Sequence, residues 1–324
     1  MSETIKSTED LAHHEGLMDS LTKKHDLIVD LIGNRNVHYV DVPVHGNIGD
    51  LLIMFGTLEL FRKNALKVPM NAPYFAYDPR WASKGDVVVC HGGGNFGDLY
   101  LGPQELRETV VRTAKRSRVV ILPQTIHFES EARFDRCVKE FRKHPDVHIF
   151  VRDSKSLEFA KEISPSSYLV PDMAHQLWNS SRFPRTPIRN GRHITISRTD
   201  GEKHGRSCTE DKATIDWPEL VGRTRSEVIR YTNYLVKHGH KLGINRLALK
   251  AEMKAWTMFS RWLCEPAIKR IGSAQSITTD RLHGHILACL LSTPNRVVDN
   301  SYGKNSSYIR EWTAGSPLVS LSAS

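Results

Sequence analysis

Short apolar runs recur along this chain, and each is followed at once by glycine, asparagine, aspartate or arginine. Val37-His-Tyr-Val-Asp-Val42 runs into Pro43-Val-His-Gly-Asn-Ile-Gly-Asp50, and Asp86-Val-Val-Val-Cys90 into His91-Gly-Gly-Gly-Asn-Phe-Gly-Asp98. Arg118–Leu122 ends in Pro123-Gln-Thr-Ile-His127, His148–Val151 in Arg152-Asp-Ser-Lys-Ser156, and Tyr168–Val170 in Pro171-Asp172. Helically spaced segments separate the runs. Continuous apolar strands alternating with helices predict an α/β fold with a parallel sheet covered on both faces. The unusual polar residues all fall just past a strand, on the edge where such sheets bind ligands.

The second half repeats the theme less cleanly. Strands are predicted at His193–Ser197, Ser276–Thr279 and Arg296–Asp299, with a loop over 300–307 and a last helix near Tyr308–Thr313. A stretch over 202–216 is polar, and 217–271 reads as helical and rich in Lys and Arg, which predicts a small or irregular second sheet. The expected division is a Rossmann-like domain over 1–180, a linker over 181–192 with proline, glycine and basic residues, and a Rossmann-like domain over 193–324 with a helical insertion at 217–271. Residues 1–33 read as a polar tail and one helix stopped by Gly33.

Size and charge narrow the class. The chain has 324 residues, is 40% hydrophobic and 25% charged, and carries a net charge of +9. That composition suits a globular protein with a sizeable core. The basic balance suits anionic partners, but the cations are scattered without aromatic interleaving, which argues against nucleic acid. Five cysteines, far apart and without a C-x-x-C pair, argue against a zinc site or disulfide framework and for a reducing compartment. The polar N-terminus is no signal peptide, and no apolar run approaches the roughly 20 residues needed to span a bilayer. The expected location is the cytoplasm, with a peripheral place at the inner face of the membrane open to it.

The segment Ser276–Leu291 is the richest in chemistry. Leu282, Ile286, Cys289 and Leu290 predict one apolar helical face, with Thr279 or Asp280 as N-cap. Arg281 and His283 then fall in the first turn, where backbone N–H groups favour an anion such as phosphate or carboxylate. The plainer reading is an arginine paired to an acid and a hydrogen-bonded histidine. Arg152, placed directly after a strand, suits a planar anion, or a salt bridge with Asp153 or another acid. Gly92–Gly97 allows close backbone approach, yet matches neither a Walker motif nor a dinucleotide fingerprint. Gly46-Asn-Ile-Gly-Asp50 echoes Gly94-Asn-Phe-Gly-Asp98. In both, the acid reads equally as an N-cap, while Asn47 and Asn95 read as ligand-contacting amides. His127 and His175 read as satisfied polar groups. No H-E-x-x-H, G-x-S-x-G or metal-ligand spacing is present, so an activated-nucleophile hydrolase is poorly supported.

The ordered set Gly46–Asp50, His91–Gly97, Leu122-Pro-Gln-Thr125, Val151-Arg-Asp-Ser154, Pro171-Asp172, Thr279-Asp-Arg-Leu-His283 and Asp299-Asn-Ser-Tyr-Gly-Lys304 resembles the polysaccharide pyruvyl transferase family. The resemblance covers roughly residues 37–315. It implies two Rossmann-like domains facing across a cleft, as in B-type glycosyltransferases. It further implies transfer of the enolpyruvyl unit of phosphoenolpyruvate to a sugar, or to a polyprenyl-diphosphate-linked oligosaccharide, with ketal closure and phosphate release. On that scheme Arg152 and Arg281 clamp phosphoenolpyruvate and His283 carries the proton, imidazole being a side chain suited to acid/base work near neutral pH. Asn47, Asp50, Gly93, Gly94, Asn95, Gln124, Asn300 and Lys304 are the expected substrate contacts, and no metal or other cofactor is required. The rival readings are a B-type glycosyltransferase using a nucleotide sugar and a non-catalytic polysaccharide-pathway binding protein.

Overall fold

The computed structural model describes residues 7–181, 192–197, 214–241, 246–299 and 304–322. Strands β1 (Val37–Val40), β2 (Met70–Ala72), β3 (Val87–Cys90), β4 (Gly93–Gly97), β5 (Arg118–His127), β6 (Val147–Val151) and β7 (Ser167–Leu169) form one sheet. Strands β8 (Ile194–Ile196), β9 (Thr214–Ile215), β10 (Ile277–Thr279), β11 (Asn295–Val297) and β12 (Val319–Leu321) form another. The helices are α1 (Thr8–Lys23), α2 (Asp26–Ile32), α3 (Ile48–Lys63), α4 (Leu101–Thr113), α5 (Glu131–Arg142), α6 (Ser154–Ile163), α7 (Trp217–Val221), α8 (Arg223–Lys241), α9 (Arg246–Ser273), α10 (Leu282–Leu290) and α11 (Lys304–Trp312).

Every strand pairing described is parallel. The first sheet runs β2-β1-β3-β5-β6-β7, with β4 set against β5, and the second runs β12-β11-β10-β8-β9. Each order contains a switch point. The chain leaves β1 for β2 on one side and resumes at β3 on the other. It leaves β8 for β9 and resumes at β10 across β8. Helices leaving two neighbouring strands in opposite directions open a crevice at their carboxyl ends.

Period-2 alternation splits the first sheet's side chains between two cores. Val37, Tyr39, Val87, Val89, Val120, Leu122 and Phe150 face one, which continues through α3, α9 and α10 into the second sheet. Val88, Cys90, Val119, Ile121, Ile149 and Val151 face the other, under α4, α5 and α6. Burial on both faces explains why these strands are apolar throughout. Cys90 and Cys289 are buried free thiols.

Several expectations need correction. The second sheet is neither small nor irregular: the basic 217–271 region is the crossover from β9 to β10. The polar 202–216 stretch contains β9, and β2 and β12 were not anticipated. The strand at Arg118 continues through Pro123 to His127, with a register shift between Ile121 and Gln124 that accommodates the missing N–H. Gly93–Gly97 is a strand, not a free loop. At Gly97 (φ 135°) an added Cβ would fall 1.7 Å from the carbonyl oxygen of His127, so only glycine lets β4 lie against β5. The last helix starts at Lys304, inside the predicted loop.

Residues 7–33 form two helices, stopped at Gly33 as expected. They do more than trail the first sheet: His14 bonds Ser316 Oγ at 2.8 Å and the carbonyl of Cys289 at 2.9 Å. In return, Trp312 Nε1 donates to the carbonyl of Arg152 (2.9 Å). The predicted linker lies almost wholly outside the described residues.

Candidate active site

A cavity of about 760 Å³ is lined from both sheets. Asp41, His91 and Arg152 reach it from the ends of β1, β3 and β6, and Arg281 and His283 from the end of β10. Its lining therefore includes residues from both switch points.

Asp172 organises the polar wall. It is fully buried behind β7, its Oδ1 accepting from the Ala174 amide (2.9 Å) and its Oδ2 from Arg152 Nη1 (2.6 Å). His283 Nε2 stands 3.4 Å from the same Oδ2. At that distance it is a charge neighbour rather than a hydrogen-bond partner, and the buried Nε2 carries no hydrogen bond. Burial pushes the Asp172 carboxyl up. His283, Arg152 and the Ala174 amide outweigh it and hold the group well below the usual carboxylate range. Asp172 is thus an anion in the interior that Arg152 and His283 share.

Arg152 is further fixed by Nε donating to Thr125 Oγ1 (2.9 Å), which bonds Asp153 in turn (3.0 Å). Its Nη2 lies against Gly94. The salt bridge to Asp153 or another acid is met by another acid: Asp153 caps α6, and Asp172 takes the guanidinium.

Arg281 binds a carboxylate of its own. Nε and Nη2 donate to the two oxygens of Asp216 at 2.5 and 2.7 Å, a planar fork on a buried acid that also caps α7. The predicted caps of α10 are displaced by one or two residues. Arg281 is the N-cap, and Thr279 Oγ1 accepts from its amide (3.1 Å). The helix buries Gly284 through Leu290 on all sides, not on one face.

The remaining predicted contacts separate into three groups. Asp50, Asn95 and Gly94 line the cavity, as does Asn47, which also caps α3 through the Gly49 amide (3.0 Å). Gly93 and Gln124 are not in the lining. The Gln124 amide donates to the carbonyl of His91 (2.7 Å) and to Asn95 (3.0 Å), so it shapes the loop behind the wall. Asn300 lies outside the described residues, and so does the side chain of Lys304. Asp98 accepts from the amides of Glu129 and Ser130, both 2.9 Å, rather than capping α4.

Sequence reasoning missed two groups beside Asp172. Asp41 lines the cavity in the left-handed region, φ 63°. Both Arg107 Nη2 and Asn95 Nδ2 donate to its Oδ2, each at 3.1 Å. Burial pushes its carboxyl up, against Arg107 and Asn95, to about 6. The signal was an acid set between Val40 and Val42, absorbed into the apolar run. His91 is buried, its Nδ1 is 2.5 Å from Tyr39 Oη, and its Nε2 has no partner. Burial, followed by the nearby cations, pushes it down to about 3, so it is a neutral imidazole.

The profile of the polysaccharide pyruvyl transferase family matches residues 47–302. This chain belongs to that family. EpsO of Bacillus subtilis (strain 168) is 35% identical over 94% of both chains. Pyruvyl transferase 1 of Schizosaccharomyces pombe (strain 972 / ATCC 24843) is 26% identical over 90% of this chain and 73% of its own. The fold resembles the crystal structure of an uncharacterized protein of Klebsiella pneumoniae subsp. pneumoniae NTUH-K2044. The TM-score is 0.62 at 19% identity, over 94% of this chain and 99% of that one.

As a member of the polysaccharide pyruvyl transferases the chain is a transferase. The matched span takes in Arg152, Asp172, Asp216, Arg281 and His283. Asp41 and His91 fall on either side of its start, Asp41 just ahead of Asn47.

Proposed function

We propose that this chain transfers the enolpyruvyl group of phosphoenolpyruvate to a sugar of a surface polysaccharide or its lipid-linked precursor, at the cytoplasmic side of the membrane. The observation that carries the reading is Asp172, a buried anion behind the cavity wall that draws two lining residues, Arg152 and His283, together from different sheets. On this reading the sheets belong to two Rossmann-like domains facing across the cavity, as in B-type glycosyltransferases.

The reaction asks for a proton at C3 of phosphoenolpyruvate, which turns the methylene into a methyl. One sugar hydroxyl then bonds C2, phosphate departs, and a second hydroxyl closes the ketal on C2. The two hydroxyl protons balance the one gained at C3 and the one that leaves with phosphate. His283 is assigned the proton at C3, with the Asp172 carboxylate balancing the imidazolium. Asp41 is assigned the base for the sugar hydroxyl, being a cavity-lining carboxylate poised near 6. Arg152 Nη2, Arg281 and the first amides of α10 are assigned the donor's anions. Fixed pairing to Asp172 and Asp216 pre-organises both guanidinium groups, so neither has to be ordered by substrate. Tyr74, Leu99 and Tyr100 form an exposed apolar rim on the same cavity, suited to the C–H face of a sugar.

The test is incubation of purified protein with phosphoenolpyruvate and lipid-linked or nitrophenyl glycosides. Phosphate release with a mass gain of about 70 Da on the acceptor, the ketal increment, is expected. No ketal on any acceptor, combined with thermal stabilisation by nucleotide sugars but not by phosphoenolpyruvate, would replace this reading with a glycosyltransferase.

A further inference from the structure

Away from the cavity, exposed large apolar side chains gather on α8 and α9. Val228, Tyr231 and Tyr234 lie on the first, and Leu247, Met258 and Trp262 on the second. On α9 the pattern is periodic. Leu249, Met253, Trp256, Ser260, Leu263 and Ala267 recur at three- and four-residue spacing and are buried. The opposite stripe carries Leu247, Lys250, Lys254, Met258 and Arg261 at the same spacing, with Trp262 beside the last, all exposed. Leu247 is 78% and Met258 66% exposed.

A helix with one buried face should turn a polar face to water. This one turns out large apolar groups interleaved with cations, the pattern of a helix lying in a lipid interface. Lysine and arginine stems cover apolar ground while their charges reach headgroups. Over its length α9 has six basic residues against two acids, and Glu265 is already paired to Lys269 at 2.6 Å. A symmetric dimer through this stripe would set cation against cation, which disfavours a second copy as its cover. The helix is also bolted to the site. Trp256, on its inner face, donates from Nε1 to the carbonyl of Pro43 (2.7 Å), and Pro43 lines the cavity.

We propose that the outer face of α9, flanked by the exposed aromatics of α8, docks on an anionic phospholipid surface. Charge supplies the approach, and Leu247, Met258 and Trp262 supply the insertion. This goes beyond the transfer chemistry, and it is read without turnover.

Flotation with phosphatidylcholine vesicles, with and without about 30 mol% phosphatidylglycerol, tests it. The protein should float with the anionic vesicles and not with the neutral ones. A Leu247→Ser/Met258→Ser variant and a Lys250→Gln/Lys254→Gln variant should each lose about tenfold or more in partitioning. Their melting temperatures should stay unchanged, because these side chains are exposed. Absence of binding to anionic vesicles, equal binding to neutral ones, or wild-type partitioning in either variant would overturn the proposal. Turnover with a water-soluble glycoside should be the same in all three proteins. Were it absent from all three while flotation followed the pattern above, the transfer reading would fail and the docking face would stand.

Discussion

Asp41 shows how much a single side chain's surroundings matter. Its Oδ2 takes both hydrogen bonds, from Arg107 and Asn95, on a carboxylate that lines the cavity. Arginine lowers its proton affinity and burial raises it, and burial wins, leaving it at about 6. A base of that kind works deprotonated, so kcat/KM should fall as pH drops through about 6. Asp41→Asn keeps an acceptor for Arg107 and removes the base. We expect a loss of about 10²–10⁴-fold in kcat and disappearance of that acidic limb. A variant that keeps the limb would return Asp41 to a structural role. Arg281 makes the opposite point. The sequence left this cation open between an anion ligand and pairing to an acid, and the fold pairs it with Asp216, from far along the chain.

Two helices carry the site as elements. α3 and α10 are buried nearly all round, and they pack so that His283 lies on Gly49, in the first turn of α3. A Cβ at Gly49 would stand 2.5 Å from His283 Nδ1. The second glycine of Gly46-Asn-Ile-Gly-Asp50 is thus there for the imidazole, not for a turn. Alanine is ordinarily favoured over glycine inside a helix, by up to about 1 kcal/mol. Gly49→Ala should therefore leave the melting temperature within a few degrees while lowering kcat at least about tenfold, because the ring must shift off Asp172. Full activity in that variant would show that the ring's position is not critical. β4 carries the same lesson. Its glycines looked like a ligand loop, and at Gly97 they serve close pairing to β5.

For the whole molecule, buried neutral histidines set the response to acid. Burial lowers His91 and His175 to about 3 and His285 to about 4, from an ordinary 6.5. Between those values the unfolded chain binds protons that the native chain does not, so stability present above 6.5 is lost as pH falls. Asp41 opposes this, since its raised value makes the native state bind a proton below about 6. Net of the Asp41 gain, these three leave about 3 kcal/mol lost per pH unit between roughly pH 6 and 4, and His25, His144 and His148, also lowered by burial, add to it. Denaturant unfolding at several pH values should show that slope, and a flat profile down to pH 4 would rule out these histidines as its source. The sequence by itself determined the α/β class, most strands of the first sheet, the placing of polar residues at strand ends and the family. These follow from local periodicity and from residues adjacent in the chain, as with Val87–Cys90 running into His91. It also picked out Arg152, Arg281 and His283, because a cation or imidazole just past a strand is locally anomalous. Only the tertiary structure decided what those residues touch. Asp172 to His283, Asp216 to Arg281 and Pro43 to Trp256 are pairs distant in sequence, and no periodicity encodes them. The second sheet was only partly legible, β9 and β12 being missed, for a related reason: its strands are short, and a long helical crossover separates partners that meet only in the folded chain.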